Sequence, residues 1–501
     1  MRRAARAGLR LTGAIAICLT FAALAPAAAT VILVNSTADV EADDGACTLR
    51  EAAVAVNTDT ASGALAGECD AGTASDTVIF VLPSDSTVTL VLTPVVFTEP
   101  VAIVGPGADA LRIAAVVERA LILDGTTSSA YDFSVSGLRI AFGQATTAYL
   151  GQHTGSGGGL LAHNVGGLTI SGVRFEENYA HQSGAGLFFD QWPGGTLVVE
   201  DSLFDSNDID SGIAAGGAAI AGSFGGSVTV RRCLFVNNAA ANPGTGVSDE
   251  GQGGAIWVPP FTTGTLAIEA STFSANRALG HGGAIAFGSP ASPGFEPTVI
   301  TTITDSTFTA NEADTNGNAT AACGGALSTD WSDATVTLAN TIVAGNSDGT
   351  PLDSAPDLVG NAGILVSGGY NLIGIRRGAG AVFAAGLPNA SDDWVGTAAT
   401  PLDPGLGALV DNGGATASHL PVDSPASPAI DHGSCATAAV DQRGWSDGLG
   451  SRIVDDGAVA DSDDGCDIGA IEVGLTAPPD LFADDFETGD ARAWAVVGWA
   501  L

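Results

Sequence analysis

The residue with the clearest potential for chemistry is His281, which stands between two glycines in the triplet Gly280-His281-Gly282. Imidazole is the side chain that enzymes use most often to transfer protons. Arg277 and Glu269 precede it in the same stretch and add a cation and a carboxylate. An enzyme hypothesis therefore assigns catalytic roles to His281, Arg277 and Glu269.

A structural interpretation of His281 competes with this hypothesis. A pair of glycines follows His281, and the same pair follows Gln252 and Cys323 elsewhere in the chain. Because an amide, an imidazole and a thiol occupy equivalent places, the position tolerates unrelated chemistry. We therefore favour a variable position beside a chain reversal, and a protein that is not an enzyme.

Three tryptophans are the candidates for ligand binding. Trp192, Trp257 and Trp331 each follow a glycine-rich corner by four to eight residues, which predicts that they share one flank of the molecule. Aromatic faces of this kind can stack on sugar rings as rigid anchors. The alternative is that each ring packs in the core or under a loop.

All these candidates fall within or beside a repeat, which must position them. Its marker is Phe-x-x-Asn, and the intervals between leading residues, including a final degenerate copy, are 29, 31, 38, 35 and 35 residues. Self-similarity at this period indicates stacked supersecondary units. The markers are Phe175 and Asn178, Phe204 and Asn207, Phe235 and Asn238, Phe273 and Asn276, Phe308 and Asn311, and the degenerate Val343 and Asn346.

The stretches between the glycine pairs and the next marker predict the architecture. They alternate apolar and polar residues with period two and are rich in β-branched side chains, as in "TLVVEDSLF" (196–204), which is typical of strands. We predict an all-β, right-handed parallel β-helix of eight or nine coils over residues 78–350. Phenylalanines should stack inside it, asparagines, which tolerate a left-handed backbone, should form a ladder of side-chain amides, and paired glycines should form the corners.

A short helix is expected over the N-terminal end of the stack. In residues 47–57, Thr48 and Glu51 have the spacing of a capping box, and an apolar stripe at helical spacing follows. The exposed edge of a strand stack invites further pairing unless an element of this kind covers it. We therefore predict an N-terminal cap that lies over the first coil.

The first 29 residues predict export. Arginines, an apolar stretch and a run of small residues succeed one another, as in a signal peptide. No other apolar run approaches the roughly 18–20 residues that a membrane helix requires. The mature protein is therefore expected to be secreted or to lie at the cell surface, and not to span the membrane through helices.

Six cysteines remain beyond the predicted signal peptide, an even number that suggests disulfides in an exported chain. The plausible local pairs are Cys47 with Cys69 and Cys435 with Cys466, one near each end. The sequence leaves the pairing of Cys233 and Cys323 open. No Cys-x-x-Cys spacing occurs, so no metal site is expected from the cysteines.

The charge restricts the partners. All 17 basic residues are arginines and four lie in the first 29 residues, so 13 arginines face 55 acidic residues in the remainder, a net charge of −42. Nucleic acids and anionic membranes require a positive surface, and neither is expected as a partner. No cofactor is expected, although the acidic stretch 455–467 offers oxygen ligands that would suit calcium.

Four motifs resemble those of exported bacterial β-helix proteins. "CTLREA" (47–52) resembles the CSLREA domain, and the alternation of Gly-Gly-Ala with Phe-x-x-Asn resembles the repeats of chlamydial polymorphic outer-membrane proteins. "GYNLIG" (369–374) and "CDIGAIE" (466–472) are similar to parts of the choice-of-anchor Q domain. "FADDFETGDARAW" (482–494) resembles a short C-terminal sorting segment.

The resemblance implies a succession of parts that covers nearly all of the mature chain. They are a signal peptide at 1–29, a CSLREA-like cap at 30–77, the β-helix at 78–350, a choice-of-anchor Q-like domain at 351–472 and a tail at 473–501. The chlamydial proteins end in an outer-membrane barrel of roughly 250 residues, whereas about 30 residues follow Glu472 here, so no self-inserting autotransporter is expected.

The implied role is a non-catalytic, adhesin-like surface or secreted protein whose long acidic face binds glycan or another cell surface. The alternative is a polysaccharide lyase or glycoside hydrolase of the pectin-active β-helix type, whose Gly-His-Gly motif resembles residues 280–282. The chain departs from that type because it contains no lysine and no Asp-Asp pair in the coil before His281. A purely structural envelope component is a third interpretation.

Overall fold

The computed structural model describes residues 29–477, except for residues 129–130, 191–193, 211–214, 241–250, 291, 316, 318–322, 350–356, 361–362, 423–426, 436–438, 458 and 460. The predicted signal peptide and the segment 482–494 lie outside the described residues. Within them, α1 (Leu49–Thr58) is the one α-helix, and no helix is long and apolar enough to cross a membrane.

The protein is a right-handed parallel β-helix, as predicted. Between residues 132 and 359 each coil contributes a strand to sheet A, then sheet B, then the short sheet D, and returns through a loop to sheet C, whereas the coils before residue 132 place strands in sheets A, B and C. Nine strands of sheet A lie between Asp76 and Ala339. The expected eight or nine coils of that region are therefore present, and the stack extends beyond it at both ends.

The strands are numbered along the chain. Sheet A contains β1 (Thr30–Val34), β2 (Asp76–Phe80), β5 (Val101–Val104), β8 (Asp132–Ser136), β12 (Gly167–Ser171), β16 (Thr196–Glu200), β20 (Ser227–Arg231), β24 (Thr265–Glu269), β28 (Ile300–Thr304), β32 (Thr335–Ala339) and β36 (Leu365–Ser367). Sheet B contains β3 (Ser86–Leu90), β6 (Leu111–Ala115), β9 (Arg139–Ala141), β13 (Arg174–Glu176), β17 (Leu203–Asp205), β21 (Leu234–Val236), β25 (Thr272–Ser274), β29 (Thr307–Thr309), β33 (Ile342–Val343), β37 (Leu372–Ile373) and β38 (Trp394–Val395).

The other two sheets are narrower, and one hairpin stands apart. Sheet C contains β4 (Val95–Phe97), β7 (Leu121–Asp124), β11 (Leu160–His163), β15 (Leu187–Asp190), β19 (Ile220–Ala221), β23 (Ile256–Val258), β27 (Ile285–Phe287), β31 (Leu327–Ser328) and β35 (Leu358–Val359). Sheet D contains β10 (Gln144–Ala145), β14 (Tyr179–Ala180), β18 (Asp208–Ile209), β22 (Ala239–Ala240), β26 (Arg277–Ala278), β30 (Glu312–Ala313) and β34 (Ser347–Asp348). β39 (Leu406–Val410) and β40 (Ser418–Pro421) form an antiparallel hairpin.

The predicted columns of side chains run through the interior. From Phe175 to Phe308, successive marker phenylalanines stack with ring centroids 4.5–4.9 Å apart and planes within 9° of parallel. From Asn178 to Asn346, each buried side-chain amide donates to the Oδ1 atom of the next asparagine at 2.8–3.0 Å. Asp357 ends this ladder by accepting from Asn346.

One detail of the expected asparagine ladder is wrong. The asparagines were expected to use their tolerance of the left-handed backbone, but the positive φ falls on the residue before each one, such as Glu177 (53°) and Ala275 (56°). The asparagine side chain instead satisfies backbone groups across the stack: Asn276 also donates to the carbonyl of Phe235. The ladder is therefore kept by hydrogen bonding rather than by backbone conformation.

The paired glycines form the corners before sheet C, as expected. Gly282 has φ +63°, which a residue with a side chain adopts only under strain. At Gly283 the chain runs so close to the next coil that a Cβ atom would lie 2.1 Å from the carbonyl oxygen of Gly325. The first position thus requires glycine because of its positive φ, and the second because the backbone of the next coil lies too close for a side chain.

The N-terminal cap forms as predicted. The Thr48 hydroxyl accepts from the Glu51 amide while the Glu51 carboxylate accepts from the Thr48 amide, and the disulfide Cys47–Cys69 holds this region. One strand of the stack, β1, precedes the helix and pairs in register with β2. The first rung therefore belongs to the segment that the sequence assigned to the cap.

Beyond β38 the chain turns back along the solenoid. Residues 403–475 are here called the C-terminal segment; its described residues cover the outer face of sheet B, where Ile468 packs with Ile342 and Leu372. The Ala470 amide donates to the hydroxyl of Thr307 at 3.1 Å. The predicted disulfide Cys435–Cys466 lies within this segment.

Candidate functional site

A polar cleft of about 480 Å³ opens where the C-terminal segment meets the corner between sheets A and B, and we call it the corner cleft. Three consecutive coils and the C-terminal segment line it. The lining residues are Arg231, Arg232, Glu269, Ala270, Thr304, Asp305, Ala439 and Val440.

Strand register produces the charged wall of the corner cleft. Glu200, Arg231 and Glu269 end three successive strands of sheet A and lie directly above one another. Strand residues that point outward repeat at every second position, so these side chains face solvent together. Arg231 donates twice to Glu200, at 2.6 and 2.8 Å, which fixes the guanidinium in place.

The turn after each sheet A strand supplies the second column. Arg232 and Asp305 hold the left-handed conformation, with φ of 53° and 50°, and so project beside the strand ends. Arg232 donates to both carboxylate oxygens of Asp201 at 2.7 Å. This pairing raises the pKa of Arg232 despite its partial burial.

The C-terminal segment brings a buried arginine to the floor of this region. The Arg452 side chain is fully buried and lies 3.4 Å from Asp305 and 3.5 Å from Glu472. Burial raises the pKa of Asp305 even though the charge of Arg452 lowers it. Asp467 lies beside them and adds to the charge around Arg452. We call Arg452, Asp305, Glu472 and Asp467 the Arg452 cluster.

The structure does not bring the three residues of the enzyme hypothesis to one face. Glu269 lies in the corner cleft, Arg277 begins a strand of sheet D and is ion-paired with Glu312, and His281 lies at the glycine corner before sheet C. His281 is buried, with its ring edge-on to Trp331 at a centroid distance of 6.4 Å. The three side chains therefore do not converge on one site.

The equivalence of His281, Gln252 and Cys323 is confirmed. The carbonyl of each accepts from the first corner glycine of the coil before it: Gly217 donates to Gln252, Gly253 to His281 and Gly282 to Cys323. His281 therefore occupies a position that recurs in every coil of this region, as the structural interpretation requires.

The three tryptophans do not form one exposed row. Trp257 is 6% exposed, packs with Ala221 and Ala286, and donates from Nε1 to the carbonyl of Gly288. Trp331 follows β31 by three residues and is partly buried. Trp192 lies outside the described residues. Packing over the outer face of sheet C thus removes Trp257 from the surface that a sugar could reach.

Three groups of metal-ligand side chains come together in the described part of the chain. Cys435, Cys466 and Glu472 form one, but its two sulfurs are joined in a disulfide. A second consists of three carboxylates, at Asp431, Asp455 and Asp461; it includes part of the acidic stretch for which calcium was considered, and two of its members are exposed.

The third group, His153, His163 and Asp190, was not anticipated from the sequence. A signal for it exists: "LILD", "LLAH" and "LFFD" are successive strands of sheet C, so Asp124, His163 and Asp190 are equivalent strand-end residues. His153 comes from a loop outside the repeat, which is why the repeat pattern alone could not place it.

Comparison of the chain with protein-family models, curated proteins and solved structures gives no match.

Proposed function

We propose that this chain is an exported, non-catalytic β-helix protein of the adhesin-like kind, which binds extracellular glycan or another cell surface through its long acidic face. The observation that carries the proposal is the corner cleft, a preformed polar groove of about 480 Å³ on a rigid stack. Binding sites typically combine a concave surface with a few fixed polar groups.

The composition of the cleft suits a polyhydroxylated ligand. Arg231 and Arg232 present guanidinium donors, and Glu269 and Asp305 present carboxylate acceptors, along about three coils. Ion pairs with Glu200 and Asp201 of the preceding coil hold the two guanidinium groups before any ligand arrives, so these side chains lose little entropy on binding. Sugar hydroxyls both donate and accept hydrogen bonds and can therefore use both columns.

Two further features support export. The disulfides Cys47–Cys69 and Cys435–Cys466 are of the kind that persists in oxidising compartments. The predicted signal peptide and the resemblance to CSLREA and choice-of-anchor Q proteins agree with a location outside the cytoplasm. The resemblance also supports a role in surface presentation rather than in catalysis.

A glycan array probed with the purified protein tests the proposal. Arg231→Met and Glu269→Gln should each weaken binding at least about tenfold, since each removes a charged hydrogen-bonding group of the cleft. Arg277→Met, which changes an exposed arginine on sheet D, is the matched control and should bind normally. Binding that is unchanged by the two cleft substitutions would refute the cleft as the site.

The lyase or hydrolase alternative retains one of its residues in the cleft, Glu269, beside Arg231. Glycoside hydrolases use a pair of carboxylates, and Glu269 and Asp305 both line this groove. Reducing-sugar and unsaturated-product assays on the array-positive glycans separate the two functions. Products that disappear in Glu269→Gln would replace the binding role by an enzymatic one.

A further inference from the structure

Three side chains with metal-ligand atoms converge on the outer face of sheet C, and we call them the histidine cluster: His153, His163 and Asp190. His153 Nε2 lies 2.9 Å from His163 Nδ1, and each of these nitrogens lies 3.2 Å from the same oxygen, Oδ2 of Asp190. The side chains of the two histidines are only 10% and 7% exposed.

Two elements build the cluster. His163 and Asp190 end the adjacent strands β11 and β15 and pair in register, so their side chains point the same way. His153 comes from the loop of residues 146–156, which lies over that face and connects β10 to β11. The imidazole of His153 thus contacts His163 and Asp190 from the solvent side of sheet C.

A buried arginine holds the loop in place. Arg119, 2% exposed, donates to the carbonyls of Thr147, His153 and Ser156 at 2.7–2.8 Å. His153 itself has φ +48°, a conformation that non-glycine residues adopt rarely. The hydroxyl of Tyr149 adds an anchor by donating to Asp124 at 2.7 Å. The imidazole of His153 is therefore positioned by contacts outside the cluster.

Hydrogen bonding alone does not satisfy the triangle of atoms. If both nitrogens carry a proton, two N–H groups face each other at 2.9 Å between His153 and His163. If only one carries a proton, the lone pair of the other nitrogen faces the carboxylate oxygen of Asp190 at 3.2 Å. With Asp190 ionised, every arrangement of protons on the two nitrogens leaves one repulsive contact, whereas a cation bound to three lone pairs leaves none.

The spacing fits one class of ion. A four-coordinate zinc with ligands at about 2.0–2.1 Å places its ligand atoms roughly 3.3 Å apart. The observed 2.9, 3.2 and 3.2 Å require only small adjustments of the side chains. Two imidazoles and a carboxylate suit zinc, whereas calcium takes six to eight oxygen ligands at longer distances.

We propose that His153, His163 and Asp190 bind a zinc ion that fastens the loop 146–156 to the outer face of sheet C. Asp190 is 28% exposed, so solvent reaches the cluster and a water molecule can complete the four ligands. His163 binds through Nδ1 and keeps its proton on Nε2, where the side-chain amide of Asn164 lies 3.1 Å away and can turn its oxygen towards that proton.

Zinc titration of the chelator-treated protein by calorimetry, with cobalt absorption to report geometry, tests the site. We expect one zinc per chain and the intense visible absorption of tetrahedral cobalt. His153→Asn, chosen because asparagine tolerates a positive φ, and Asp190→Asn should each lower zinc affinity at least about 100-fold, since outer-shell partners alone contribute about 10–100-fold.

His181→Asn is the matched control, because His181 also contacts a carboxylate, that of Asp210 at 2.7 Å, but without a second histidine in the contact, and its side chain is 57% exposed. It should bind zinc as the unchanged protein does, and circular dichroism should confirm that all variants fold. Absence of zinc binding, octahedral cobalt, or an equal loss of affinity in the control would overturn the site.

Discussion

The Arg452 cluster and the histidine cluster lie in comparable places, since each forms where an irregular segment covers the outer face of a sheet. In the first, the guanidinium of Arg452 stands among Asp305, Glu472 and Asp467 and compensates them from within the chain. In the second, two imidazole nitrogens and a carboxylate oxygen face one another directly.

The difference shows how the chain can fasten a segment that has no repeat of its own. Backbone pairing holds the coils, but a covering segment depends on a few point contacts between side chains. The C-terminal segment carries its own cation to the contact at Arg452, whereas the loop 146–156 carries a ligand, His153, and needs an ion.

The largest effect is expected at Arg452. Arg452→Met leaves Asp305 without its cation and the buried carbonyls of Asp467 and Gly469 without their donor, and breaking a buried ion pair in this way costs about 3–5 kcal/mol. Chemical denaturation monitored by tryptophan fluorescence measures the loss of unfolding free energy. Arg277→Met, at an exposed pair with Glu312, should change it by less than about 1 kcal/mol. A loss below 1 kcal/mol at Arg452 would refute its compensating role.

The next effect concerns zinc and the histidine cluster. Zinc at about 100 times its dissociation constant should raise the unfolding free energy by about 2.7 kcal/mol, because it binds the folded state. Asp190→Asn should abolish this increase, and Arg452→Met should leave it unchanged since the two clusters share no residue. A zinc-dependent increase of the same size in Asp190→Asn would place the ion elsewhere.

A smaller effect is expected at Arg119, which positions His153 without contacting the ion. Arg119→Met leaves the carbonyls of Thr147, His153 and Ser156 without their shared donor, so the loop should open more often. Zinc affinity should fall about tenfold, and amide hydrogen exchange across 146–156 should accelerate. Unchanged exchange together with unchanged affinity would show that Arg119 does not position the loop.

The last effect is the pH dependence of the Arg452 cluster. Burial and then the charge of Asp467 raise the pKa of Glu472, although Arg452 opposes them. The folded state therefore binds this proton more tightly than the unfolded state, so its contribution is present at low pH and is lost as pH rises.

Glu472→Gln removes that titration and provides the test. The unfolding free energy of the unchanged protein, relative to Glu472→Gln, should decline between about pH 5 and about pH 9, by about 1.4 kcal/mol for each unit by which folding raises the pKa of Glu472. Denaturation curves at several pH values measure it. A difference that grows with pH would mean that the pKa of Glu472 is lowered rather than raised.

The features that the sequence predicted are those that repeat or act locally. Phenylalanine and asparagine recur once per coil because parallel stacking places equivalent residues of successive coils above one another. Phe235 and Asn238 could therefore be assigned from spacing alone. The capping box of Thr48 and Glu51 and the two disulfides join residues that are near along the chain.

The features that the sequence did not reveal depend on contacts made once. The corner cleft exists because the C-terminal segment folds back over sheet B. That segment has no sequence repeat from which its path over the sheet could be predicted. His153 meets His163 because a loop outside the repeat lies over sheet C. Aligning the strand ends would have shown the column of Asp124, His163 and Asp190, but not the second histidine.

Anomalous diffraction at the zinc absorption edge, from crystals of the protein grown with zinc, tests the contrast between the two clusters most directly. We predict a peak within bonding distance of His153 Nε2, His163 Nδ1 and Asp190, and none beside Arg452. A map without a peak among those three side chains, or with the ion beside Glu472, would contradict the difference between the two clusters.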